Sequence, residues 1–167
     1  MNDDLTDKFQ IRETVENWVI WRDSGNWERF RTVWHDGARM HSTWFRGPAE
    51  EFIAHARQSW GKGGISCHFL GGSSIEISGT RAIAQTKKRI DSRLKLDGIP
   101  CDVVCTGRFY QFFEQRGGRW AVVLHQGIYE RMLNTSGCAF SISSSSSTEY
   151  GCLEMASVSS PPWSKPT

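Results

Sequence analysis

The sequence predicts an α+β fold in which N-terminal helices are followed by a long, curved antiparallel sheet. Two observations support this prediction. Apolar residues recur with a helical period through the N-terminal part of the chain, and after residue 64 the period changes to two, which is typical of strands. Glycine-rich turns separate the strand segments, as in a series of hairpins. A sheet of such long strands can curve around the helices and leave a pocket between them.

The elements before the sheet follow from capping residues and apolar spacing. Ile11, Val15 and Trp18 form one apolar face of the first helix. The predicted elements are a helix capped by Thr6 or Asp7 and ending at Asp23, a short helix ending at Asp36-Gly37, a strand over residues 38–45, and a helix over residues 49–60 that begins after Pro48.

Four long strands make up the predicted sheet. Asp-Gly and Gly-Gly dipeptides between strand patterns are typical of tight hairpin turns. The predicted strands cover residues 65–78, 81–96, 101–115 and 119–131, and the turns are Gly79-Thr80, Asp97-Gly98 and Gly117-Gly118.

The chain has the size of one domain, and its composition argues against several functions. A formal net charge of +2 over 167 residues is too small to indicate binding to nucleic acid or to an anionic membrane. No apolar run approaches the ~20 residues that cross a bilayer, and the acidic start shows no secretory signal. The five cysteines include no Cys-x-x-Cys pair, so we expect reduced cysteines and a cytoplasmic location.

The last part of the chain differs in composition from the rest. Residues 143–147 are all serine, and three prolines follow near the end. We therefore predict a folded domain over residues 1–133 and a Ser/Pro-rich tail over residues 134–167. The composition favours a mobile tail, but its aromatic residues allow a second interpretation, a segment that covers a pocket or a neighbouring subunit.

One histidine lies in an apolar run that has a glycine pair at each end. His68 in such a run is commonly a core residue with a satisfied hydrogen bond. A neutral imidazole among apolar groups can also accept a proton near neutral pH, provided that a carboxylate fixes its tautomer. Asp23, at the end of the first predicted helix, is the best candidate for that carboxylate.

Four short motifs occur in a characteristic order within residues 5–132. They are Arg22-Asp23-x-x-x-Trp27, Gly47-Pro48, Ser66-x-His68 and Gly118-x-Trp120. With these motifs the chain resembles the SnoaL-like branch of the nuclear-transport-factor-2-like superfamily, which includes scytalone dehydratase, hexachlorocyclohexane dehydrochlorinase and bile-acid 7α-dehydratase. The resemblance implies a cone-shaped α+β barrel, with a homotrimer favoured and a dimer as the alternative.

The resemblance also implies roles for individual residues. Asp23 matches the acid of an Asp–His dyad in these lyases, and His68 matches the histidine that removes a proton. Asp91 falls near a pocket acid of the bile-acid dehydratase, and His125 falls where the dehydrochlorinase has a pocket arginine. Trp18 departs from the pattern, since the dehydrochlorinase has a lysine there, and the tyrosine pair of scytalone dehydratase has no clear match. These departures speak against dehydrochlorination and against scytalone as the substrate.

Further candidates follow from their positions along the predicted strands. His125 and Tyr129 are four residues apart and therefore share a face. Asp91 shares a face with Arg89 and Arg93, which suits either a pocket acid held by arginines or an exposed ion-pair ladder. The aromatic residues that could line the pocket are Trp18, Trp44, Phe69, Phe109 and Phe113.

The remaining histidines and the basic run have simpler interpretations. No His, Cys or Glu spacing indicates zinc, and no P-loop or Gly-x-Ser-x-Gly motif occurs, so we expect neither a metal nor a cofactor. Side chains expected to face solvent are those of His35, His41 and His55 and the run Lys87-Lys88-Arg89.

Together with the resemblance, these residues favour a cofactor-independent lyase, of the dehydratase type, that acts on a small hydrophobic cyclic substrate. His68 would be the general base and Asp23 its partner. Two alternatives remain: a double-bond isomerase that uses the same proton abstraction, and a non-catalytic domain that binds a small ligand or a protein. A binding domain has no need for Asp23 and His68 to face each other.

Overall fold

The computed structural model describes residues 3–63, 65–96 and 99–134. Helices come first in this part of the chain and long strands follow, which confirms the predicted α+β class. The helices are α1 (Asp3–Asp23), α2 (Trp27–Thr32) and α3 (Ala49–Gly61), and the strands are β1 (Trp34–His41), β2 (Arg46–Pro48), β3 (Ile65–Ser78), β4 (Arg81–Leu96), β5 (Ile99–Arg116) and β6 (Arg119–Asn134).

The strands form one six-stranded sheet in the order β2-β1-β6-β5-β4-β3. Its strands from β3 to β6 are antiparallel neighbours, as predicted. In contrast, β1 pairs with β6 in parallel, so the sheet is mixed rather than antiparallel throughout. Since β2 and β3 are the two edges of this order, the sheet does not close into the barrel that the resemblance implied.

The core lies between α1 and the sheet. On α1, Ile11, Val15 and Trp18 are buried as predicted, and the helix packs against β3 and β6. The ring centroid of Trp18 lies 4.9 Å from that of Phe109 in β5 and 5.3 Å from that of Phe30 in α2. Burial of each such large apolar side chain stabilises the fold by about 1.5–3 kcal/mol, so Trp18 joins the helices to the sheet.

The start of α1 differs from the prediction. The helix begins at Asp3 rather than after a cap at Thr6 or Asp7. The Asp7 carboxylate instead accepts a hydrogen bond of 2.8 Å from Nε1 of Trp120 in β6. A long-range partner has replaced the local capping role that the sequence suggested.

The position of β1 is a second correction. The strand covers Trp34–His41 instead of residues 38–45, because Gly37 does not end a helix. Its φ of +77° is readily adopted by glycine, and the pairing register of β1 shifts beside it. A turn follows, in which Ser42 N–H donates to the Phe45 carbonyl at 2.8 Å.

Two of the three predicted hairpin turns are present. Gly79, Gly117 and Gly118 all have positive φ values, as tight turns between antiparallel strands require. The predicted Asp97-Gly98 turn lies outside the described residues, as do residues 135–167 of the Ser/Pro-rich tail. Among the three helices given above, none is both long and apolar enough to cross a membrane.

Candidate functional site

Asp23, the last residue of α1, and His68 in β3 meet at the centre of the site. Oδ1 of Asp23 lies 2.8 Å from Nδ1 of His68, and Oδ2 accepts a hydrogen bond of 2.6 Å from the His68 backbone N–H. One carboxylate therefore holds both the backbone and the ring of the same residue. The structure brings together the two residues for which the sequence predicts a dyad, and we call them the Asp23–His68 dyad.

The hydrogen bond to Asp23 defines the state of the His68 ring. With a carboxylate at Nδ1, the proton belongs on Nδ1, and Nε2 carries the free lone pair. Among the described residues, none forms a hydrogen bond with Nε2. Burial lowers the pKa of His68 to about 4, an effect that the hydrogen bond from Nδ1–H to Asp23 opposes. The imidazole is therefore neutral near pH 7 and able to accept a proton.

Arg22 completes the charged part of this site. Its Nη1 lies 3.1 Å from Oδ1 of Asp23, and its Cζ lies 5.9 Å from the centroid of the Trp18 ring. Burial alone would raise the pKa of Asp23, but the hydrogen bonds from His68 and the charge of Arg22 outweigh it and lower that pKa. Asp23 is therefore an anion that orients His68, rather than an acid that gives up a proton.

Two aromatic rings join the dyad to a second histidine. The ring centroid of Trp18 lies 5.7 Å from that of His68 and 4.7 Å from that of His125, on which it is stacked. Phe109 contacts the same two histidines, at 6.1 and 4.5 Å. Trp18 and Phe109, both predicted as pocket residues, thus form the apolar surface between His68 and His125.

His125 and its cross-strand neighbour Gln111 form a second polar pair, the Gln111–His125 pair. Both residues are fully buried, and within the described part of the chain neither ring nitrogen of His125 and neither amide atom of Gln111 has a hydrogen-bond partner. Burial is the main cause that lowers the pKa of His125 far below its usual value, and the charge of Lys88 adds to it. His125 is therefore a neutral imidazole whose hydrogen-bonding capacity is unused.

Lys88 is one of the residues for which the sequence-based prediction was wrong. Instead of facing solvent with Lys87 and Arg89, it is almost fully buried. Its Nζ lies 4.8 Å from the ring centroid of Phe109 and 3.8 Å from that of Tyr129. Alternation could have revealed this, because the inward residues of β4 are those with even numbers, namely Ala82, Ala84, Thr86, Lys88 and Ile90.

Gln111 was also missed, although a signal for it existed. It lies between Phe109 and Phe113 on the buried face of β5, where an amide is unusual. Phe113, a candidate pocket residue, is buried in the core. Tyr129 shares the inner face with His125, as predicted, since Lys88 reaches it from inside the sheet.

Three predicted pocket residues do not face the dyad. Phe69 is 53% exposed, because His68 points inward and the next residue of a strand must point outward. Trp44 is 46% exposed and lies in the turn after β1. Asp91 is half-exposed and forms an ion pair of 2.7 Å with Arg89, which agrees with the exposed ladder rather than the pocket acid.

Of the other histidines, only His55 is exposed as predicted. His41 is half-buried, and His35 is buried, with Nε2 2.9 Å from the Glu114 carbonyl oxygen. Nη2 of Arg119 donates to the other ring nitrogen of His35 at 3.2 Å. Because β1 begins earlier than predicted, His35 belongs to the sheet and is held there structurally.

A small open depression, with a cavity volume of about 30 Å³, reaches Asp23. It lies between the end of α1, α2, α3 and the start of β3. Its lining residues are Arg22, Asp23, Trp27, Ala56, Ser59, Trp60 and Ser66. Within the described part of the chain, no group of three His, Cys, Asp or Glu residues could hold a metal ion.

The fold and this arrangement agree with a comparison against known families. Residues 3–124 match the SnoaL-like domain. The chain belongs to the SnoaL-like domain family. This confirms the predicted membership of the SnoaL-like branch of the nuclear-transport-factor-2-like superfamily.

Relatives and solved structures extend the comparison. A PEP2-like protein of Fusarium vanettenii is 37% identical over 130 residues, which cover 76% of this chain and 56% of that protein. The chain spans about half the length of the curated relatives it matches. A type 2 hexachlorocyclohexane dehydrochlorinase superposes with a TM-score of 0.72 at 15% identity, covering 83% of this chain and 95% of that one.

A scytalone dehydratase-like protein of Novosphingobium aromaticivorans gives a TM-score of 0.68 at 13% identity, covering 80% of this chain and 91% of the other. At such low identities the two superpositions show a shared fold. A hexachlorocyclohexane dehydrochlorinase and a scytalone dehydratase-like protein thus share the α+β fold of this chain.

Proposed function

We propose that this protein is a cofactor-independent lyase that removes water from a small hydrophobic cyclic substrate. His68 is the general base and Asp23 is the partner that orients it. The observation that carries this proposal is the double hydrogen bond of Asp23, which holds the His68 backbone at 2.6 Å and its ring at 2.8 Å. A histidine with only a structural role does not need a charged partner that leaves Nε2 free.

The proposed reaction begins with a C–H bond next to a carbonyl group of the substrate. Nε2 of His68 takes the proton, and the electron pair of the broken bond forms an enolate whose negative charge lies on the carbonyl oxygen. The enolate then expels a hydroxyl group from the neighbouring carbon, and this group takes the proton from His68 and leaves as water. The ring returns to its neutral state, so the cycle is balanced.

The electrostatics of the dyad suit this role. The imidazolium formed in the first step lies 2.8 Å from the Asp23 carboxylate, which stabilises the new positive charge. General-base catalysis of this kind contributes about 10²–10⁴-fold to the rate. The low pKa of His68 keeps the base unprotonated over a broad range of pH.

A product screen by mass spectrometry tests the proposal. Wild type, His68→Ala and the exposed control His55→Ala are incubated with hydroxylated cyclic ketones. We expect products lighter by one water with wild type and His55→Ala, and none with His68→Ala. Products of unchanged mass with a shifted double bond would assign the isomerase alternative. Binding by all three proteins without turnover would leave the domain a ligand-binding module.

The homotrimer and the cytoplasmic location that the sequence predicts are part of the same proposal. Small lyases of this fold commonly work as homo-oligomers, and the resemblance favours three subunits. Sedimentation velocity on the purified chain distinguishes a trimer from a dimer by mass, and a monomer would contradict the predicted assembly.

A further inference from the structure

Lys88 lies on the inner face of the sheet, and its surroundings differ from those of the neighbouring Lys87. Lys87 lies on the outer face of β4 and is exposed, whereas Lys88 is buried. The ammonium group of Lys88 lies over the rings of Phe109 and Tyr129, which attract it through cation–π contacts. A positive charge is thus held inside the sheet, next to aromatic rings.

The sheet leaves space for the Lys88 ammonium group. Gly107 lies opposite Lys88 in the register, and Tyr129 lies opposite Gly107 on the next strand, so the lysine side chain can extend across β5 towards β6. A Cβ atom on Gly127 would lie 3.4 Å from Nζ. Gly127 thus provides room for the ammonium group beside Tyr129, whereas a Cβ atom on Gly107 would collide with the carbonyl oxygen of Ile128.

The charge of Lys88 acts on the same interior as the dyad. Its Nζ and the ring of His68 both contact Phe109, at 4.8 and 6.1 Å from the ring centroid. The positive charge of Lys88 also lowers the pKa of both His68 and His125, because it disfavours their protonated forms. Arg22, the other cation near the dyad, is paired with Asp23 at 3.1 Å, so the negative charge of Asp23 is already balanced on its own side.

We propose that Lys88 binds the substrate oxygen that becomes negative when His68 removes the proton, and that the site therefore selects substrates with an acidic or enolisable oxygen. This inference rests on the proposed function and gives it a substrate class: cyclic ketones, phenols or carboxylates rather than neutral hydrocarbons or halides. A fixed positive charge in a water-poor site is an effective stabiliser of a developing oxyanion. This lysine lies in β4. The helix position at which the dehydrochlorinase has a lysine, five residues before Asp23, holds Trp18 in this chain.

Matched anionic and neutral probes test the inference without any turnover. Isothermal titration calorimetry gives dissociation constants for 2-naphthoate and for its neutral analogue 2-naphthamide. Because a hydrogen bond to a charged group changes affinity by about 10- to 100-fold, we expect wild type to prefer the acid by about tenfold or more. Lys88→Met should abolish the preference, and Lys87→Met, one residue away on the outer face, should keep it.

Additional variants separate this inference from the proposed reaction. Lys88→Arg retains the charge and should retain the preference, and circular dichroism checks that each variant is folded. His68→Gln should lose turnover but still prefer the acid, since Lys88 is intact. The inference would be overturned if wild type bound the acid and the amide with equal affinity, or if it bound neither. A preference that survives in Lys88→Met would also overturn it.

Discussion

The two polar pairs inside this domain, Asp23–His68 and Gln111–His125, differ in how their hydrogen bonds are satisfied. Trp18 and Phe109 contact both pairs. In the first pair, the Asp23 carboxylate forms hydrogen bonds with both the ring and the backbone N–H of His68. In the second, within the described residues, four buried nitrogen and oxygen atoms have no partner.

Because of this difference, the two pairs suit different roles. A buried polar group without a partner costs about 1–3 kcal/mol, so a pair kept for stability alone is normally satisfied. The Asp23–His68 dyad has a defined tautomer and a defined direction, which suits a base. The Gln111–His125 pair keeps its donors and acceptors available, which suits binding of a hydroxyl or carbonyl group of a ligand.

The largest effect is expected from breaking the satisfied pair. Asp23→Asn removes the charge that stabilises the imidazolium and lets the ring adopt the other tautomer. We expect turnover of the substrate found in the product screen to fall about 10²–10⁴-fold, with binding little changed. Steady-state kinetics measure this, and a decrease of less than about threefold would contradict a catalytic role for the dyad.

The next effect is on stability at acid pH. Burial lowers the pKa of His125 far below 6.5 and that of His68 to about 4. Between about pH 4 and pH 6.5, the unfolded state therefore binds more protons than the folded state. The free energy of unfolding should therefore be highest above pH 6.5 and fall towards pH 4, by up to ~1.4 kcal/mol per pH unit for each histidine.

Urea denaturation between pH 7 and pH 4.5 measures this slope. His125→Gln should remove about one histidine's share of it, whereas the exposed control His55→Gln should leave the slope unchanged. A wild-type stability that is constant over this range would show that the two histidines are not held neutral by burial.

A smaller effect on the free energy of unfolding is expected at two glutamines of β5. Its sign should differ between them, because the amide of Gln111 has no hydrogen-bond partner among the described residues and that of Gln115 has one. Gln111→Met should raise the free energy of unfolding by about 1–2 kcal/mol, because it removes a buried group without a partner. Gln115→Met should lower it, because Nε2 of Gln115 donates to Asp7 at 3.3 Å. Denaturant titrations of both variants provide the test, and destabilisation by Gln111→Met would show that the Gln111 amide is satisfied in solution.

The smallest effect is expected on the exposed outer face of the sheet. Asp91 was a candidate pocket acid, but its carboxylate pairs with Arg89 on the exposed face of β4. Asp91→Asn should change stability by less than about 0.5 kcal/mol, because exposed ion pairs contribute little, and turnover should be unchanged. A marked loss of turnover would mean that Asp91 reaches the substrate.

The parts of the fold that depend on local pattern could be predicted from the sequence. The helix period up to Asp23, the hairpin glycines and the order of motifs around His68 are local signals, and the structure agrees with the elements they predict. The parallel pairing of β1 with β6 could not be predicted in this way, because it depends on two segments that are distant along the chain. The bulge at Gly37 was mistaken for a helix end for the same reason.

Individual side chains of the site were harder to predict than the elements that carry them. The direction of a strand residue depends on register, and an error of one residue reverses it. Lys88 was assigned to the solvent because it stands between two other basic residues, although its neighbours two residues away are apolar or small. The direction of Phe69 was predicted wrongly for the same reason, and Gln111 was not singled out. Phe109 follows the alternation that the structure shows, and Trp18 follows the helical spacing of α1.

The most direct test of the central claim is the protonation state of His68 near neutral pH. A two-dimensional ¹H–¹⁵N NMR spectrum of the histidine side chains at pH 7, assigned with His68→Gln, reports which ring nitrogen carries the proton. We predict a neutral ring with its proton on Nδ1 and a bare Nε2, and loss of that preference in Asp23→Asn. A proton on Nε2, or a doubly protonated ring at pH 7, would contradict His68 as the base.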